Sequence, residues 1–234
     1  MTPLVKAIAS VIPPRRPIHH HEPYIFQREK KYIAECLENG IADDGWVRKL
    51  EEGLRQTCGA SQAIAVSSGT AALHVTLLAA GIKAGEEVLV PSLTFAGTAN
   101  AISYCGAIPN FVDGALGISA YKLRRYLERT TCPNPDKRGR LNCATGRVIS
   151  ALIVVDLLGF PADWQKLSAV ADEFGLTLIE DAAQALGAKV GNQPCGSFGK
   201  AAILSFNNNK IVTGNGGGAV LTNDEWLAAK AHQL

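Results

Sequence analysis

The chain has 234 residues, 47% of them hydrophobic, and is therefore long enough to bury a substantial core in one or two domains. Its 23 basic and 21 acidic side chains nearly balance, which excludes a global field that would attract nucleic acid or a membrane surface. No apolar run is long enough to span a membrane, and prolines interrupt the first residues too early for a signal peptide.

Cysteine and histidine usage argues against a metal centre. The six cysteines contain no CxxC pair and no even ladder of spacings, so neither a zinc site nor a disulfide framework is expected. We therefore expect reduced thiols and a cytoplasmic protein. The consecutive histidines His19–His21 can touch a metal ion, but adjacent side chains rarely converge on one ion. A flexible arm rich in proline and arginine is the preferred interpretation of this stretch.

The first part of the chain divides into that arm and a helical segment. Residues 1–23 hold five of the eleven prolines and are predicted to form the flexible N-terminal arm. In the helical segment 24–58, Ile33 and Leu37 stand four residues apart, which predicts one helix over Ile25–Leu37. The apolar spacing that follows predicts a second helix over Val47–Arg55.

Short apolar runs begin at residue 59 and predict the strands of a sheet. The predicted strands are Ala63–Val66, Glu87–Val90, Ile108–Val112, Ile149–Val155, Leu176–Ile179, Ile203–Phe206 and Ala219–Leu221. The predicted helices between the first five are Thr70–Ala80, Ala96–Tyr104, Ala120–Arg129 and Asp163–Phe174. Apolar strands that alternate with helices are typical of a parallel sheet covered on both faces. We expect an α/β domain over 59–222, followed by the start of a truncated C-terminal helix over 223–234.

The last two strands break this alternation. Only a loop of about a dozen residues separates them, too short for a helical crossover between parallel strands. The last strand is therefore predicted to run antiparallel, through a glycine-rich turn.

The segment 114–147 is mostly basic. The preferred interpretation is a solvated helix followed by a loop around Pro133 and Pro135. The alternative is a basic surface that meets an anionic substrate or a partner subunit. Aromatic residues do not alternate with the basic ones as in nucleic-acid binding surfaces, so no nucleic-acid partner is expected.

Three stretches at predicted strand ends carry chemistry. The small-residue turn before Thr70 leads directly into a helix, whose N–H groups and dipole can hold a phosphate. Phe95 follows another strand and can stack on a planar ring. Asp181 closes an apolar strand, where a carboxylate needs a cationic partner such as a pyridinium nitrogen. Gln184 can then donate to a phenolic oxygen of the same ring.

A fourth stretch carries a lysine. The apolar run Ala201–Ser205 is followed by three asparagines, Lys210 and a cluster of glycines. A lysine at the mouth of a strand can place its amine in a cleft, where desolvation lowers the pKa and favours Schiff-base chemistry. A phosphate cradle, a stacking ring, a pyridinium partner and a Schiff-base lysine together describe a site for pyridoxal 5′-phosphate (PLP).

These motifs also identify a family. The runs that begin at Ser68, Pro91, Glu180 and Ser205 resemble the DegT/StrS family of fold-type I PLP-dependent nucleotide-sugar aminotransferases, over about Pro23 to the end. The stretch Leu93–Pro109 is most similar to the branch that aminates UDP-linked 4-keto-6-deoxy-HexNAc. The roles that the resemblance implies are a Schiff base and general base at Lys210, the ring nitrogen partner at Asp181, the ring hydroxyl partner at Gln184, stacking by Phe95, and phosphate binding by Gly69, Thr70, Ala71 and Ser205.

The resemblance further implies a fold and an activity. The fold is a three-layer αβα large domain with a seven-stranded, mostly parallel sheet. The activity is a ping-pong transamination of a nucleotide-linked keto sugar by a homodimer, with glutamate as amino donor, in cell-surface glycan or deoxyamino sugar biosynthesis. Family members continue into a small C-terminal domain, and a loop there brings an asparagine to the neighbouring subunit's cofactor phosphate. Both are expected to be missing here.

Two alternatives stay open. One is a truncated remnant that binds PLP without turnover. The other is a PLP-dependent sugar dehydratase on the same scaffold, a branch that carries histidine in place of the Schiff-base lysine. Lys210 argues against this second alternative.

Overall fold

The computed structural model describes residues 2–11, 23, 25–39, 44–112, 114, 116–135 and 138–234. Within these ranges, three helices precede the first strand: α1 (Pro3–Val11), α2 (Gln27–Asn39) and α3 (Gly45–Cys58). Both helices expected in segment 24–58 are thus present, and α3 buries Leu54 and Cys58. In the expected arm, α1 buries none of its side chains. His19–His21 lie outside the described residues.

The described residues form two sheets. Their strands are β1 (Gln62–Val66), β2 (Glu87–Pro91), β3 (Ile108–Val112), β4 (Thr131–Pro133), β5 (Arg140–Asn142), β6 (Val148–Val155), β7 (Thr177–Asp181), β8 (Lys189–Val190), β9 (Gln193–Pro194), β10 (Ala201–Ser205) and β11 (Gly218–Thr222). The main sheet has nine strands, of which the seven expected ones follow the order β1-β11-β10-β7-β6-β2-β3, while β4 and β5 branch from β6. Strand β11 is antiparallel to β1 and β10, and the other neighbours in this order are parallel. The predicted antiparallel last strand is confirmed.

Helices cover both faces of this sheet. The α-helices that the structure describes after the first strand are α4 (Gly69–Ala79), α5 (Ala96–Tyr104), α6 (Ala120–Thr130), α7 (Trp164–Glu173) and α8 (Glu225–Ala231). Successive strand residues point to opposite faces, so Leu152 joins the core under α3, α6 and α7 while Ile153 joins the core under α4, α5 and α8. The predicted three-layer αβα arrangement is confirmed. Helix α8, in the segment expected to begin a truncated helix, buries Leu227 in the second core.

The segment 114–147 differs from its prediction. Helix α6 forms as expected and buries Leu123 and Leu127, but the loop predicted around Pro133 is wrong. Strand β4 pairs antiparallel with β5, which in turn pairs with β6, and a disulfide joins Cys132 to Cys143. The expectation of no disulfide is therefore wrong as well. A hairpin brings these two cysteines together although their spacing of 11 residues is not a recognised motif.

Several basic side chains of this segment are used within the chain. Arg124 lies 2.6 Å from Glu173, and Arg138 donates to the backbone oxygen of Gly81 at 2.7 Å. These contacts favour the structural interpretation of the segment over a basic binding surface. In the part of the chain that the structure describes, no helix combines the length and apolar character needed to cross a bilayer.

Candidate active site

A cavity of about 280 Å³ opens where the main sheet's parallel strands end. Open α/β sheets bind ligands at this edge, because the loops there diverge and leave a crevice. The predicted site residues that line the cavity are Gly69, Thr70, Phe95, Asp181, Gln184, Ser205 and Lys210. The chain therefore gathers side chains from four separate stretches into one place.

Ala71 is the predicted residue that does not line this cavity. Ser68 caps α4 in an extended conformation, and its hydroxyl accepts the backbone N–H of Ala71 at 3.1 Å. This bond uses the Ala71 amide inside the turn. Gly69 and Thr70, at the helix N-terminus, present the open end of the turn to the cavity.

Close approach of backbone segments explains the glycines at the turn before α4, which together with Ser205 is called the cradle below. A Cβ at Gly69 would lie 2.8 Å from the Cβ of Ser205, and one at Gly218 would lie 2.5 Å from the carbonyl carbon of Ser68. Ser205 and Gly218 are paired in the β10–β11 register. The turn into α4 therefore packs directly on the ends of β10 and β11. This packing places the Ser205 side chain beside the N-terminus of α4.

Asp181 lies at the end of β7 and is only 4% exposed. Its Oδ2 accepts the Thr98 hydroxyl at 2.9 Å, and its Oδ1 accepts the backbone N–H of Ala183 at 3.2 Å. Burial raises the pKa of this carboxyl, whereas the two hydrogen bonds and the charge of Lys210 act in the opposite direction. The site thus holds a buried carboxylate that a further cation in the cavity would stabilise.

Lys210 follows β10 in a turn, in which its backbone N–H donates to the Asn207 oxygen at 2.9 Å. The residue is partly buried, and this burial lowers the pKa of the amine. The negative charge of Asp181 partly opposes the shift. An amine with a lowered pKa has a larger neutral fraction, which is the nucleophilic and proton-accepting form.

Gln184 and Phe95 complete the predicted set. The Gln184 Oε1 accepts the backbone N–H of Leu158 at 2.6 Å, and Leu158 holds the left-handed conformation with φ of 55°. With its oxygen engaged, Gln184 has its amide N–H groups left to donate. The Phe95 ring lines the cavity and is 71% exposed. An exposed aromatic ring at a cavity wall is available to stack on a planar ligand.

Sequence reasoning missed the residues that support Asp181. Thr98 donates to this carboxylate, and the Thr94 hydroxyl lies 2.9 Å from that of Thr98. The i,i+4 spacing of the two threonines beside Phe95 was a signal for a shared hydrogen-bonded face. Asp156 was also missed; its backbone N–H donates to the backbone carbonyl oxygen of Asp181 at 3.1 Å.

One cluster of metal-ligand types occurs among the described residues. It consists of Asp156, Glu180 and Cys195, all buried, with their ligand atoms within 4.8 Å of one another. Glu180 precedes Asp181 on β7, so the two carboxylates point to opposite faces of the sheet. This cluster lies behind the candidate site and does not line the cavity.

Comparison with known proteins agrees with this geometry. The family model described as DegT/DnrJ/EryC1/StrS aminotransferase family matches residues 23–234. The GDP-perosamine synthase of Caulobacter vibrioides is 36% identical over 217 residues, covering 91% of this chain and 54% of that protein. EpsN of Bacillus subtilis, named as a pyridoxal phosphate-dependent aminotransferase, is 38% identical over 222 residues, covering 93% of this chain and 54% of that protein.

A solved structure shows the same fold. The structure of DesI, determined with its TDP-sugar product, superposes with a TM-score of 0.77 at 32% identity, covering 94% of this chain and 53% of DesI. The chain spans about half the length of the relatives that it matches. The predicted fold class of PLP-dependent aminotransferases is confirmed. Because the family model covers most of its length, this chain belongs to the DegT/DnrJ/EryC1/StrS aminotransferase family.

Proposed function

We propose that this chain carries the cofactor-binding part of a PLP-dependent aminotransferase that acts on a nucleotide-linked keto sugar. The observation that carries the proposal is the placement of Lys210 and the buried Asp181 in one cavity, with a glycine-lined cradle beside them. Within the chain, we assign cofactor binding to residues 59–222.

The residues present fit PLP. The cradle at Gly69 is closed so tightly against Ser205 that a Cβ would not fit, and it offers helix N-terminal amides and a hydroxyl, which are donors for a phosphate. Asp181 is a buried carboxylate suited to a protonated ring nitrogen, and Phe95 offers an exposed ring for stacking. When bound, PLP supplies an electron sink that stabilises negative charge at the substrate carbon next to the transferred amine.

Lys210 performs the proton chemistry in this proposal. Partial burial lowers the pKa of its amine, so the Nζ is able to accept a proton and return it. Asp181 lines the same cavity, and Thr98 orients its carboxyl group through a 2.9 Å hydrogen bond. The backbone N–H of Leu158 holds the side-chain oxygen of Gln184, and this bond fixes the direction in which the Gln184 amide N–H groups point.

The relatives support the substrate class. One is named as a GDP-perosamine synthase and another was solved with a TDP-sugar product, so both names point to sugars linked to nucleotides. We extend this class to the present chain, with glutamate as amino donor and a homodimer as the assembly. The histidine-bearing dehydratase alternative is disfavoured by Lys210 at the corresponding position.

The test begins with the purified full chain loaded with PLP. We expect a single turnover with glutamate to release 2-oxoglutarate in amounts that match the bound cofactor. Addition of UDP-, dTDP- and GDP-linked keto sugars should then yield an amino sugar, detected by mass spectrometry. Bound PLP without 2-oxoglutarate would favour a remnant without turnover, and a deoxygenated sugar without added nitrogen would favour the dehydratase.

A further inference from the structure

Behind the candidate site lies a pair of buried carboxyl groups, Asp156 and Glu180. Both side chains are 0% exposed. The Asp156 Oδ1 accepts two donors, the backbone N–H of Ala162 at 2.9 Å and the Trp164 indole N–H at 3.0 Å. These bonds fix the orientation of Asp156 within the core formed by Trp164 and its neighbours.

Glu180 is equally fixed. Its Oε1 accepts the backbone N–H of Gly196 and its Oε2 accepts that of Phe198, both at 2.7 Å. Each oxygen of Glu180 thus has a backbone donor, and neither donor is free to serve Asp156. The Glu180 side chain therefore joins the end of β7 to the loop that follows β9.

One oxygen of the pair lacks a donor. Among the described residues, no hydrogen bond reaches the Asp156 Oδ2, which is buried. The carboxylate oxygens of Asp156 and Glu180 lie within 4.8 Å of each other and of the Cys195 sulfur. Two ionised carboxylates this close, away from water, repel each other strongly, and one proton between them removes the repulsion and gives the free oxygen a donor.

We propose that Asp156 and Glu180 share one proton in the folded protein and that this acid pair positions Asp181, a role that rests on the proposed function of that carboxylate. The backbone supplies the connection, because the backbone N–H of Asp156 donates to the backbone carbonyl oxygen of Asp181 at 3.1 Å. Asp181 also follows Glu180 directly on β7 and pairs with Val155 on β6. Anchoring Asp156 and Glu180 from behind therefore holds the strand end that carries Asp181.

The electrostatics agree with this arrangement. Burial, together with Asp156, raises the pKa of Glu180 from 4.5 to about 9. The charge of Asp156 also acts to raise the pKa of Asp181, so one proton on the pair, which removes one of its two charges, reduces the repulsion of the Asp181 carboxylate. The other titratable groups that face the pair are the thiols of Cys58 and Cys195, whose pKa values burial raises, so both stay neutral.

The first test is infrared spectroscopy of the PLP-loaded protein at pH 7. We expect a protonated-carboxyl band in the wild type and a shift of that band in Asp156→Asn, because burial still raises the pKa of Glu180 while its neighbour changes from a carboxylate to an amide. Cys195→Ala is the matched control and should keep the band. Absence of the band in the wild type, an unshifted band in Asp156→Asn, or one bound metal ion per chain by elemental analysis would each overturn the proposal.

The second test is the pH dependence of unfolding, which needs no turnover. A carboxyl whose pKa is raised on folding stabilises the folded state below its unfolded pKa, and that stability is lost as the pH rises through the folded value. The Glu180 contribution to wild-type stability should therefore fall between pH 4.5 and about 9. In Asp156→Asn this slope should be smaller, because burial still raises the pKa of Glu180 but the effect of Asp156 is gone. Equal slopes in the two proteins would contradict a shared proton.

The positioning role has its own measurement. Asp156→Ala keeps the backbone bond to Asp181 but removes the side-chain bonds to Ala162 and Trp164 that anchor residue 156. It should weaken PLP retention about tenfold, whereas Asp156→Asn should restore it. If Asp156→Asn retains PLP no better than Asp156→Ala, the positioning role is wrong. A carboxyl band without any transamination would instead refute the proposed function and leave the acid pair standing.

Discussion

Lys210 and Asp181 line the same cavity, and each stabilises the charged form of the other. Burial acts against both charges, since it lowers the pKa of the lysine amine and raises the pKa of the carboxyl. The charged form of each group therefore depends on the charge of the other and on any further ion in the cavity. This mutual dependence makes each of them sensitive to substitution.

Replacement of Lys210 by alanine should abolish proton transfer at this position. We expect single-turnover release of 2-oxoglutarate to fall on the order of 10³-fold or more, because the group that holds the moving proton is gone. The control is Lys189→Ala, which removes an exposed lysine far from the cavity lining. Turnover by Lys210→Ala comparable with that of the control would show that another residue performs the step.

Replacement of Thr98 by valine should change the pH dependence of turnover. The Thr98 hydroxyl donates to the Asp181 Oδ2 and lowers the pKa of that carboxyl, so its loss lets the pKa rise. Protonation of Asp181 then begins at higher pH, and the acidic limb of the rate profile should move to higher pH. Thr57→Val is the control, since Thr57 is exposed on α3 and does not line the cavity. An unmoved limb in Thr98→Val would mean that Asp181 does not control this part of the profile.

The sequence predicts those parts of the site that local patterns encode. Asp181 closes an apolar run and Lys210 follows another after a short polar loop, and parallel strands bring such ends to one edge of a sheet. The Ala71 amide, by contrast, binds the Ser68 hydroxyl within its own turn. This detail depends on the exact cap geometry, and the local sequence is compatible with several such geometries. The carboxyl pair of Asp156 and Glu180 joins two strands and a distant loop, and no sequence spacing reports such contacts. Tertiary contacts of this kind have to be observed.

The hairpin disulfide gives a prediction that is independent of the active site. Substitution of both Cys132 and Cys143 by serine should lower the free energy of unfolding by about 2–3 kcal/mol, because the bond restricts the unfolded chain. Urea unfolding measures this loss, with Cys36→Ser, a free and partly buried cysteine, as the control. Titration of thiols in denaturant should also report the four free cysteines rather than all six. Six reactive thiols without reductant would show that the bond does not form.

Substitution of Gly69 by alanine tests how tightly the cradle is closed. The new Cβ would lie 2.8 Å from the Ser205 Cβ, so either the turn or the end of β10 must shift, at a cost of about 1–3 kcal/mol. PLP affinity should fall with it, because the shift moves the amides and the hydroxyl that serve the phosphate.

The control is Gly53→Ala in the exposed middle of α3, where no atom lies within 4 Å, and it should stabilise the protein by about 0.5–1 kcal/mol. The double variant Gly69→Ala/Ser205→Gly removes the clashing atom and should regain much of the lost stability, although not the Ser205 hydroxyl. Its PLP affinity should therefore stay below that of the wild type. If Gly69→Ala is as stable as Gly53→Ala and binds PLP normally, the close approach to Ser205 does not constrain the cradle.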